Sequence, residues 1–125
     1  MFSLKNAQKS PKMLVELMCI SQVKMDLEEL DKFINDCNTP EDHEEMGKFF
    51  LCLWRGKGVM SGEGQINSEK LKDYLQSRLE DVNPGDINHV TAAMIVEKCC
   101  TVQGSSPRQT AIRLNNCINR TVQGK

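Results

Sequence analysis

Histidine is almost missing from this 125-residue chain: His43 and His89 are the only two. No pair of cysteines stands at metal-knuckle spacing either, so a zinc centre has no ligand set to draw on. Each histidine falls near an expected helix start and reads as a solvated polar residue, not a pH switch. No Ser or Cys nucleophile sits in a recognisable frame with a base, so enzymatic activity and a cofactor are not expected. Charge of one sign is lacking too, since 16 Lys and Arg face 17 Asp and Glu. Without a basic stripe, backbone-driven binding to nucleic acid is excluded. No apolar run nears the ~20 residues that span a bilayer, so membrane insertion is not expected.

Most of what is present points to helices. The chain is 39% hydrophobic and 26% charged, as a soluble globular protein is, and one domain over residues 1–125 is expected, with 1–9 as a flexible N-terminal segment. The opening Met1-Phe2-Ser3-Leu4-Lys5 has no apolar core region, so a secreted protein of this sequence would be the mature form. Ser10-Pro11 is a cap followed by a proline at the first helical position. Met13, Leu14, Leu17, Met18 and Cys19 then share one face. A second helix runs from Asp26 to about Asp36, with Leu27, Leu30, Phe33, Ile34 and Cys37 inward, until Asn38-Thr39-Pro40 breaks it. Thr39 is the expected cap of a third, whose acidic first turn precedes Met46, Phe49, Phe50, Leu53 and Trp54.

Gly56, Gly58, Gly62 and Gly64 mark a loop around Val59 and Met60. A fourth helix carries Leu71, Tyr74, Leu75, Leu79 and Val82 and ends at Asn83-Pro84-Gly85. Asp86 caps a fifth, where Ile87, Val90, Ala92, Ala93, Met94, Ile95 and Val96 are apolar nearly all round. Such a helix is expected in the middle of a protein. Gly104-Ser105-Ser106-Pro107 opens a sixth with Ala111, Ile112, Leu114, Cys117 and Ile118 aligned. No alternating strand period appears, so the expected class is all-α, about six short helices.

The six cysteines are Cys19, Cys37, Cys52, Cys99, Cys100 and Cys117. Cys99 and Cys100 lie about 100° apart on their helix, so only one of them can face the sixth. Placed on helices, the set suits a small secreted protein stapled by disulfides. A cytosolic protein with buried thiols is the competing reading. The doublet lacks the nearby histidine of secreted phospholipases and the full cysteine set of plant lipid-transfer proteins, and saposin spacing holds no doublet. Gly64-Gln65-Ile66 mimics a calcium loop, but Val59 and Lys70 would then fill its first and last ligand positions, which rules it out. Asn119-Arg120-Thr121 is a glycosylation sequon.

Taken together, the cysteine spacing and the segment Gly58-Val59-Met60 with Gly64-Gln65-Ile66 resemble the insect odorant-binding protein family, in the subgroup that lacks one disulfide. The resemblance covers roughly Lys12 to Asn119. Aligned on Cys52, the family's second cysteine falls at Lys48. Aligned on Cys117, its fifth falls at Arg108. These two normally pair, and here they are lost together. The resemblance implies Cys19–Cys52 and Cys99–Cys117 bridges, with Cys37 and Cys100 outside the pattern, either as free thiols, the favoured reading, or as a third bridge of their own. It also implies a sixth helix held less tightly than in a three-disulfide relative.

By the same resemblance, the helices enclose an apolar cavity that carries a small hydrophobic ligand through extracellular fluid, with a membrane receptor or a second copy as further partners. The lining residues would come from Met13, Leu17, Phe50, Leu53, Trp54, Met60, Leu71, Tyr74, Leu75, Val90, Met94, Ile112 and Leu114. From the residues alone these are equally a packed core, and the seven methionines favour an adaptable wall. Tyr74 is the expected polar anchor. A disulfide-stabilised helical interaction module, cytokine-like or inhibitor-like, is the alternative.

Overall fold

A computed structural model describes residues 14–82 and 87–124, with the side chains of 80–82 and 87–89 left aside. Met13, the Ser10-Pro11 start, the 1–9 segment, the Asn83-Pro84-Gly85 turn and Asp86 lie outside the described residues, as do the side chains of Val82, Ile87 and His89. Among the described residues six helices follow one another: α1 Leu14–Ile20, α2 Leu27–Ile34, α3 Glu44–Gly56, α4 Ser68–Val82, α5 Ile87–Cys99 and α6 Pro107–Val122. Among the described residues no strand forms. One isolated antiparallel bridge, Met60 to Ile66, closes the glycine loop.

Local chemistry sets most of the helix starts. Asp26 caps α2 by accepting from the Glu29 N–H at 2.8 Å, and Ser106 caps α6 through the Gln109 N–H at 3.2 Å, with Pro107 behind it. The start of α3 departs from expectation. Thr39 does not cap it; a turn at Glu41 and Asp42 intervenes, and His43 takes the role, its Nδ1 accepting from the Met46 N–H at 3.2 Å. Pro40 favours an extended residue before it and a turn after it, which delays the helix. Gly58 and Gly64 adopt φ +75° and +90°, the left-handed region that a side chain disfavours.

The centre of the molecule is α3. It buries Met46, Gly47, Phe49, Phe50, Leu53 and Trp54 and packs along α6 and against α1, while α5 lies on α4 and α6. α1 reaches α3 at Gly56, where an added Cβ would fall 2.4 Å from a Val15 methyl. The expectation of a central α5 is corrected. It turns Ala92, Ile95 and Cys99 inward but leaves Val90 54% and Met94 52% exposed. A helix with apolar residues on every side carries no directional signal, and packing against α4 and α6 satisfies only one of its faces.

Two disulfides hold the helices in place. Cys19–Cys52 joins α1 to α3 and Cys99–Cys117 joins α5 to α6, with Cα–Cα distances of 5.7 and 5.8 Å. Cys37 is a buried free thiol and Cys100 a half-buried one.

Candidate functional site

Packing of α3, α4 and α6 gathers much of the expected lining into one buried apolar cluster. Phe50, Leu53, Trp54, Met60, Leu71, Leu75, Ile112 and Leu114 all belong to it. Trp54 is its hub. Its ring lies near-parallel to Phe50 at 6.4 Å and meets Tyr74 edge-on at 5.3 Å. Its indole N–H donates to the Ala111 carbonyl at 3.0 Å, so the one polar atom of the ring is satisfied and the indole is fixed in orientation.

Other expected residues stand apart. Val90 and Met94 face outward, as do Leu14 and Met18, which are 62% and 64% exposed. Leu17 is half-buried and is not packed against the cluster. Tyr74, also half-buried, packs at its edge.

At that edge the surroundings become polar. Glu16, only 2% exposed, forms an ion pair with Lys57 at 3.0 Å, and the Lys57 ammonium lies 5.8 Å from the Tyr74 ring centroid. Desolvation raises the Tyr74 phenol above its ordinary 10.0. Arg78, which hydrogen-bonds the phenol, pulls the other way, and the Glu16 carboxylate adds to the rise. A phenol kept protonated is a hydrogen-bond donor as well as an acceptor. The arrangement is therefore an aromatic floor with one neutral hydroxyl at its rim, flanked by fixed charges. Glu16, Lys57 and Arg78 went unnoticed in the sequence, where each looks like an ordinary member of a solvated helix face.

A second set of polar residues was also missed. α6 places Asn115, Asn116 and Asn119 on its inner side, where they hold the segment between α2 and α3. Asn115 donates to the Ile34 carbonyl at 3.1 Å, and Asn119 donates to Ile34 and, at 2.8 Å, to Asp36. Asn116 makes a reciprocal pair with Thr39, accepting its N–H at 3.1 Å and donating to its carbonyl at 3.0 Å. Arg120 reaches the Cys37 carbonyl at 3.0 Å and Gln123 that of Asn35 at 3.0 Å. This clasp ties α6 to the α2–α3 connection without a covalent bond, in a protein where Lys48 and Arg108 cannot supply one. The sequon asparagine is thus a buried structural group.

The PBP/GOBP family model matches residues 3–121, nearly the full chain. The chain belongs to this family of insect odorant- and pheromone-binding proteins. Neither a curated protein nor a solved structure matches it. PBP/GOBP members are small binding proteins, not enzymes, and are typically soluble and secreted. No described helix is long and apolar enough to cross a membrane, and no described group of three or more His, Cys, Asp or Glu could hold a metal ion.

Proposed function

We propose that this protein is a secreted carrier of small hydrophobic molecules, binding them against the Trp54–Tyr74 face. The observation that carries the reading is the junction of a water-excluding aromatic floor with a single neutral hydroxyl, in a chain of the odorant-binding family. Phe50, Trp54, Leu71 and Ile112 are closed off from solvent. In this reading the ligand lies over them and beside the half-buried Tyr74. Met46 and Met60 supply flexible thioethers in the same cluster, which lets the wall follow guests of different shape.

Binding here is sequestration without chemistry. An apolar chain leaving water gains roughly 25 cal/mol per Å² buried. The Tyr74 hydroxyl orients an alcohol, ester or acid oxygen, worth about 1 kcal/mol net. The test is a fluorescent apolar probe titrated into the protein with its disulfides intact. Long-chain alcohols, esters or fatty acids should displace it stoichiometrically, with a change in Trp54 emission. Probe binding that none of these compounds relieves would overturn the reading.

A further inference from the structure

On a different face, three cations converge beside the Cys19–Cys52 bridge. Lys48, Leu51, Cys52 and Arg55 form one stripe of α3, spaced three and four apart so that they lie on a single side. Gln22 and Gly56 border them, and Arg108, in the first turn of α6, closes the opposite wall. The open groove between them has a volume of about 610 Å³, the size of a small-molecule site. α6 approaches this closely because residue 47 is glycine; a Cβ there would sit 3.1 Å from that of Arg108.

The charges in the groove are not balanced. Among the described residues no acidic one lines it. Lys48 pairs with Glu45 at 3.3 Å, outside the lining, and Glu45 also accepts the Lys24 N–H at 3.1 Å. Arg55 and Arg108 have no hydrogen-bond or ion-pair partner among the described residues. The two guanidinium groups therefore lack a described counterion, and guanidinium groups bind oxyanions through paired N–H donors. Leu51 and the disulfide add an apolar strip beside the cations.

We propose that this groove is a second ligand site, distinct from the aromatic one, and that it takes a small organic oxyanion. The fitting class is a carboxylate or phosphate monoester bearing a short apolar chain. Its oxyanion lies between Arg55 and Arg108 with Lys48 at the edge, and its chain runs along Leu51 and the bridge. An occupant would link α3 to α6 non-covalently.

The experiment follows backbone amide signals of the full chain, disulfides intact, by nuclear magnetic resonance. The probes are hexyl phosphate, hexanoate, hexanol and inorganic phosphate. Both organic anions should shift the amides of Lys48, Leu51, Arg55 and Arg108, and hexanol should leave them in place. The R55Q/R108Q protein should bind hexyl phosphate about tenfold more weakly while still taking up the apolar fluorescent probe. K48Q, altered at a 42% exposed side chain, should lose about threefold and serves if the double variant fails to fold. Unchanged affinity in a folded variant, or the same amide shifts with hexanol, would overturn the site. Inorganic phosphate binding as tightly as hexyl phosphate would overturn the assignment to an amphiphile.

Discussion

Trp54 and Tyr74 are the only tryptophan and tyrosine in the chain, and their rings touch, so each is a clean reporter of the proposed site. Because burial holds the Tyr74 phenol above 10.0, the unfolded chain ionises first as pH rises. The stability owed to the neutral phenol is then complete below pH 10 and declines as pH climbs through the folded value. Tyrosinate absorbance in the near ultraviolet should titrate above its position in the unfolded chain. Tyr74→Phe should remove this part of the alkaline loss of stability. The same variant should hold the apolar probe normally but weaken oxygen-bearing ligands about fivefold, as displacement titrations would show. The thiols offer a second reading at this scale. Cys100 should react with an alkylating reagent in the folded protein, and Cys37, which is buried, only after unfolding.

Among the elements, α6 depends most on polar contacts. Asn116→Ala would strand the Thr39 N–H and carbonyl in a buried setting, costing about 1–3 kcal/mol. Denaturant unfolding measures this, with an expected fall in midpoint and no change in slope. Lys48 and Arg108 line one groove on α3 and α6, so Lys48→Cys with Arg108→Cys should close a third bridge. The chain-entropy model gives about 4 kcal/mol for a loop of this length, checked by mass spectrometry and a raised Tm. Sequence reading succeeded where chemistry is local. The Ser106-Pro107 start and the aromatic face of α3 are plain from residue order. It misjudged α5 because apolar residues on every side hide which face packs. It missed the clasp because Asn115, Asn116 and Asn119 look like a solvated face until the carbonyls of Ile34 and Thr39 arrive from 77 or more residues away.

For the molecule as a whole, covalent ties and apolar surface act against each other. The two bridges close stretches with sequence separations of 33 and 18 residues, each worth about 3–4 kcal/mol by loop entropy. Reduction should therefore lower Tm sharply, with α1 released from α3 and α5 from α6, as hydrogen exchange would report. The resemblance to the odorant-binding family, carried by the cysteine spacing, implied this framework, and both bridges form. The aromatic half of the candidate site was legible as well, because Phe50 and Trp54 share a helical face. Of its polar half only Tyr74 was, since the Glu16–Lys57 pair joins residues 41 apart in sequence and forms only when α1 docks at Gly56.

The Asn119 side chain offers one nitrogen to two rival uses. In the finished fold that nitrogen is spent on the Ile34 and Asp36 carbonyls, leaving no room for a sugar. If the chain is exported through a glycosylating compartment, α6 has to close before oligosaccharide transfer reaches the asparagine. Material made in a glycosylating host should divide into native, sugar-free molecules and sugar-bearing ones unable to seat the helix.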